Sequence, residues 1–243
     1  MSRSLLHLCL RLLLLTIVAL AAPAASAQRG RRAPAGGRVA VVVDERLAAL
    51  RGAPDLTANL VRRLGRGRVV AVAGARASAG GVTFYRVAVT RRTGGWLQAD
   101  AVVSPTRPGD DARLLRLARG SEGFDRLARA RIFLDTFPRS SLRPAALLLF
   151  GDEAESAASA LTRDAARRLD EREMQAGGAP RASYFLNFNG LDRYRRQGVV
   201  FNFDEGAKRF SYDGAAFREI LRRHPRSPEA AEARARLDRS RAR

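Results

Sequence analysis

Around Pro105 and Pro108 the hydrophobic period of this chain changes from about two to about 3.6. That change constrains the fold more than any other feature, because a period-two pattern cannot be buried as a helix, nor a helical one as a strand. The stretch before it reads as strands. Val39 to Val43 and Val69 to Ala73 are β-branched runs, Phe84 to Val89 alternates, Trp96-Leu97 follows the Gly94-Gly95 turn, and Ala101-Val102-Val103 closes the series. Short strands separated by glycine-rich turns predict a small antiparallel barrel over residues 38–105. From Asp110 onward the pattern is helical. Asp110-Asp111 opens a helix through Arg119, Phe124 to Phe137 forms an apolar stripe that Pro138 ends, and Ala145 to about Glu173 is alanine-rich. Phe217, Ile220, Leu221 and His224 share a face that Pro225 stops, and Ser227-Pro228-Glu229 starts a last helix. Between these helices, Val199–Phe203 and Lys208–Tyr212 around Asp204 to Ala207 read as a β-hairpin, an insertion near 199–212 in the helical region 110–243. The expected class is therefore α+β.

The first 27 residues have the features of a cleaved secretory signal peptide. Arg3 supplies the basic start, Leu12 to Ala22 the uncharged apolar core, and Ala25-Ser26-Ala27 the small residues before the cut. Arg11 breaks the apolar run too early for the ~20 residues a bilayer span needs. The expectation is a periplasmic or secreted protein that does not span the membrane after cleavage. Gln28 to Gly37 is a basic, Gly/Pro-rich tether. Cys9, the only cysteine, would leave with the leader, as would His7. What remains carries no thiol, one histidine, and 42 cations against 24 acids, a net of +18. Lys208 is the only lysine. This arginine bias has two readings, the codon usage of a GC-rich genome or attraction to an anionic envelope polymer. Nucleic acid is not an expected partner, since the protein is exported and no basic stripe interleaved with aromatics appears.

Four motifs in order carry a resemblance. They are Leu50-Arg51-Gly52-Ala53-Pro54, Leu64 to Val70, Phe84-Tyr85-Arg86-Val87, and Gly95-Trp96-Leu97. Together they resemble the bacterial SH3 domain (SH3b), with Phe84-Tyr85 where the family's third strand has tryptophan. The resemblance implies binding of cell-wall peptide or glycan, with Trp96, Tyr85 and Arg51 as the candidate ligand-binding residues. An aromatic platform beside an arginine suits sugars, peptides and anionic polymers; the alternative is that Trp96 packs in the core. A second phrase recurs 87 residues apart, Phe137-Pro138-Arg139-Ser140 and His224-Pro225-Arg226-Ser227, each followed by an alanine-rich helix. This helix–turn–helix arrangement resembles the tetratricopeptide-like hairpins of periplasmic and cell-envelope assembly proteins, and implies a protein partner.

Catalysis is not expected. His224, at a helix end before a proline, reads as a structural residue, and no Gly-x-Ser-x-Gly context exists for a nucleophile. Metal and other cofactors are not expected either. The densest acids, Asp152-Glu153-Glu155 and Asp170-Glu171-Glu173, read as solvated helix faces with i,i+4 ion pairs. A carboxylate-only glycosidase stays open as an alternative, because its two acids need not be neighbours in sequence. So does a pure protein-assembly scaffold without a wall ligand.

Overall fold

Ala40 to Val43 is apolar at every position because the first strand, β1 (Arg38–Val42), lies between two cores. Ala40 and Val42 point into a cluster built from strands, whereas Val41 and Val43 join a cluster built mainly from helices. Burial on both faces removes the polar alternation a half-exposed strand would show. The computed structural model describes residues 38–241. The expected leader (1–27) and tether (28–37) lie outside the described residues.

Six more strands complete the first sheet: β2 (Ala49–Arg51), β3 (Leu60–Arg63), β4 (Val69–Ala77), β5 (Thr83–Ala88), β6 (Gly94–Gln98) and β7 (Val102–Val103). Their order is β3-β2-β6-β5-β4-β1-β7, and every ladder is antiparallel. No ladder joins β3 to β7, so the sheet is open and the closed barrel expected from the strand pattern is not met. The sheet nonetheless curls. Leu50 near one end and Val102 at the other reach the same cluster, together with Val70, Val87 and Leu97. Irregular register in β4–β5 and β2–β3 marks bulges, the usual device for bending a sheet.

Helices follow directly. They are α1 (Asp110–Arg119), α2 (Gly123–Thr136) and α3 (Arg143–Arg168), then the short α4 (Glu171–Ala176), α5 (Arg181–Leu186) and α6 (Asp192–Arg195). The hairpin β8 (Phe201–Asp204) and β9 (Arg209–Tyr212) precedes α7 (Ala215–Arg223) and α8 (Glu229–Arg241). The class is α+β. Helices α1, α2, α3, α7 and α8 pack each on the next, and residues 169–214 emerge between α3 and α7. Among the described residues no helix is long and apolar enough to cross a membrane.

Local chemistry sets the cap of α1, which spans Asp110–Arg119 as expected, and corrects one boundary. Gly109, in the left-handed region at φ 79°, occupies the cap position of α1. Asp110 and Asp111 sit inside the first turn, where Asp110 accepts from the Ser104 amide at 2.8 Å. The alanine-rich helix stops at Arg168, short of Glu173, because the Asp170 carboxylate accepts the Arg172 and Glu173 amides and so caps a new helix.

The two Pro-Arg-Ser phrases adopt the same turn. Phe137 and His224 each donate their amide to the carbonyl four residues back, Phe133 at 2.9 Å and Ile220 at 2.7 Å. Each then accepts from the serine three residues on, Ser140 at 3.2 Å and Ser227 at 3.0 Å. Their backbone angles agree as well, φ −121° and ψ 60° against φ −133° and ψ 47°.

The insertion adds a group of aromatic rings to the helical core. Phe185 stacks on Phe203 with centroids 4.5 Å apart, and Phe203 meets Phe210 at 5.2 Å. Tyr194 stands edge-on to Phe124 and Phe201, and Arg193 lies over the Phe124 and Tyr194 rings. The hairpin docks on α3 through the Phe210 amide, which donates to Thr162 Oγ1 at 2.9 Å. At its end the buried Tyr212 hydroxyl accepts from the Ala216 amide at 2.9 Å, in the first turn of α7. Gly214 at the cap of that helix has no side chain to do this. Burial pushes the Tyr212 phenol well above its ordinary value. Tyr212→Phe keeps the packing and removes the acceptor, and should lower unfolding stability by about 1–2 kcal/mol. A urea-midpoint change too small to measure would show that Asp213, which also accepts in that turn at 3.0 Å, suffices.

Candidate binding site

On an antiparallel sheet, residues directly opposite one another across a ladder share a face, and neighbours along a strand do not. Arg86 of β5 lies opposite Trp96 of β6, Trp96 opposite Arg51 of β2, and Arg51 opposite Leu60 of β3. The four side chains therefore form one row across four strands. At the usual strand spacing, the row is about 14 Å long. Arg86 is exposed, Trp96 and Arg51 are half-buried, and Leu60 is 51% exposed. Trp96 belongs to neither core cluster.

Arg51 is held in place. Its Nη1 donates to the Ala58 carbonyl at 2.7 Å, across the 52–59 loop, whose base is tied by the Gly52 amide to the Asn59 carbonyl. Gly95, beside Trp96, lets the backbones close up there. A Cβ at that position would lie 2.6 Å from the Arg51 carbonyl oxygen and 3.0 Å from Leu50 Cγ. The row is thus a half-buried indole with an arginine opposite it on each neighbouring strand and an apolar residue at its end. An indole face accepts the C–H faces of a sugar or the side of a peptide, while the guanidinium groups bind carboxylate or phosphate.

The structure brings Trp96 and Arg51 together and separates Tyr85 from them. Tyr85 lies opposite Leu97, which is fully buried, so it faces the inner cluster. Its hydroxyl accepts from Arg107 Nη1 at 3.0 Å. Arg86 takes its place on the face of Trp96. Period-two alternation already puts Tyr85 and Arg86 on opposite faces. Only the register of β5 against β6 says which of them Trp96 joins.

Several charged groups elsewhere are engaged with one another. A cleft of about 730 Å³ between the sheet turns and α1–α2 is lined by Asp44, Arg46, Arg66, Arg116, Asp125 and Arg129. In it Arg46 pairs with Asp44 and Arg66 with Asp125, both at 2.8 Å. The hydrogen bond from Arg66 holds the Asp125 carboxyl below the ordinary carboxylate range. Of the acid runs on the helices, Asp170, Glu171 and Glu173 are exposed as expected, whereas the run at Asp152 is half-buried or buried. Asp152 pairs with Arg236 of α8 at 2.7 Å and Glu171 with Lys208 at 2.5 Å. Glu153 is buried, and desolvation raises its pKa against the pull of Arg126, whose Nη1 lies 3.2 Å away. Sequence reasoning missed this group because its apolar surroundings come from packing between helices.

His224 serves the turn after α7 through its backbone, and its buried Nε2 has no hydrogen-bond partner among the described residues. Among the described residues no group of three His, Cys, Asp or Glu side chains is placed to hold a metal ion. No protein family model, curated protein or solved structure matches the chain. Function must be read from the site itself.

Proposed function

We propose that this protein is an exported, periplasmic or secreted, non-enzymatic binding and scaffold protein of the cell envelope. In this reading the sheet is an SH3-like domain that holds cell-wall peptide or glycan along the Trp96 row. The helices are a tetratricopeptide-like module that docks a protein partner. The observation that carries the reading is the cross-strand row Arg86–Trp96–Arg51, an aromatic platform between two cations on the face away from the inner cluster. The two Pro-Arg-Ser turns with matching backbone angles support the helical half.

Retention on purified peptidoglycan at low ionic strength tests the wall-binding half. Trp96→Ala should weaken retention at least tenfold, about 1.4 kcal/mol. Arg51→Ala and Arg86→Ala should each weaken it less, and added salt should weaken it in wild type. Tyr85→Phe, altered on the other face, should bind as wild type does. If the wild-type protein is not retained, or Trp96→Ala leaves retention unchanged, wall binding is wrong and the assembly-scaffold reading takes its place.

A further inference from the structure

We propose that β3 is a docking edge at which an extended, acidic segment of another protein adds as an eighth strand. This inference goes beyond wall binding and needs no wall ligand.

β3 is the last strand of its sheet, and no described strand pairs with its outer side. All four of its residues, Leu60-Val61-Arg62-Arg63, are exposed. Leu60 and Val61 are each 51% exposed, and Leu56 in the preceding loop is 47% exposed. Such an apolar group on an unpaired edge is what proteins ordinarily avoid or cover.

The backbone is presented for pairing. The Leu64 amide donates to the Ala48 carbonyl at 2.9 Å and the Asn59 carbonyl accepts from Gly52 at 3.0 Å, so those groups face β2. Alternation along the strand then turns the N–H and C=O groups of Leu60 and Arg63 outward, where an added strand can meet them.

Charge selects the occupant. Arg51, Arg62 and Arg63 surround the edge, and Asp55, in the loop before it, is the one acid between Leu50 and Leu64. A second copy of this chain would bring its own Arg51, Arg62 and Arg63 to an edge that already holds these three arginines, and like charges so close repel. Nor does this sequence supply the acidic strand itself. Asp152, Glu153, Asp170 and Glu171 are already held in ion pairs or a helix cap, and residues 28–37 carry three arginines and no acid. What fits is a foreign extended segment that carries both acidic and apolar residues. Leu60 and Arg63 share the face of Arg51 and Arg62 lies on the other, so carboxylates on either face of the segment would meet an arginine.

The test is amide hydrogen exchange of the full chain with an eight-residue alternating Glu-Val peptide, and with a Lys-Val peptide of the same length. The Glu-Val peptide should slow exchange at Leu60 and Arg63 at least tenfold while Leu64, already bonded, changes little. The Lys-Val peptide should do nothing. Arg62→Glu combined with Arg63→Glu should reverse that preference, and Arg63→Glu alone should weaken the Glu-Val effect. The proposal is overturned by no slowing with Glu-Val, by equal slowing with both peptides, or by a double variant that keeps the wild-type preference. Slowing that grows with protein concentration in the absence of peptide would instead identify a second copy. Protection by phosphatidylglycerol vesicles but not by peptide would identify a lipid surface. Either of these results also overturns it.

Discussion

Phe217→Ala should cost this protein about 3–5 kcal/mol of unfolding free energy, the range for truncating a fully buried aromatic side chain. Against the ~5–15 kcal/mol that holds a typical domain together, such a loss is a large share of the total. Phe217 is the point at which α7 closes onto α3. Its side chain has no exposure, and its ring stands edge-on to Tyr212 with centroids 6.0 Å apart. Gly151 of α3 makes room for it, for a Cβ there would lie 2.4 Å from Phe217 Cε1 and 2.6 Å from Cζ. The two positions should therefore couple. Gly151→Ala alone should destabilise by about 1–3 kcal/mol through overpacking. In a Phe217→Ala background, where the ring is gone, the same methyl should cost nothing or recover part of the loss. Urea denaturation of the four proteins in the cycle measures this. A Phe217→Ala loss below about 1 kcal/mol, or strict additivity, would mean that α7 is not held by this contact.

Arg129→Ala should be the second large loss, about 2–4 kcal/mol. Arg129 stands on α2 but serves the sheet. Its Nε donates to the Val43 carbonyl just beyond β1 at 3.2 Å, and its Nη1 donates to Ser121 Oγ at 2.5 Å. The guanidinium is buried, and desolvation lowers its pKa, with the Arg66 cation acting in the same direction and Asp125 and Asp44 opposing. Alanine removes the donor and leaves the Val43 carbonyl buried without it. Methionine fills much of the same volume without donating. If Arg129→Met recovers most of the stability lost in Arg129→Ala, the side chain is there for its bulk. If both variants fall together, the hydrogen bonds hold the joint. The second outcome is expected, because the buried head donates to both the Val43 carbonyl and Ser121.

Much of this molecule was readable from residue order alone. The change of period at Pro105–Pro108 separates strands from helices, since each periodicity puts its apolar residues on one side only in its own geometry. Turn and breaker residues placed a hairpin near 199–212, which forms over 201–212, and the Pro-Arg-Ser corners, whose determinants are local: proline lacks an amide, and the serine amide closes the turn. The secretory leader is likewise a sequence inference, and it rests on Arg3, the apolar run and Ala25-Ser26-Ala27. Tertiary structure decided what depends on long-range pairing. Whether Trp96 keeps company with Tyr85 or with Arg86 turns on a one-residue register between β5 and β6, because a slip of one residue exchanges the faces of a strand. The open sheet, the exposed β3 edge and the burial of Glu153 and Arg129 likewise arise between segments far apart in the chain. A residue's own neighbours cannot report a partner that only folding brings near.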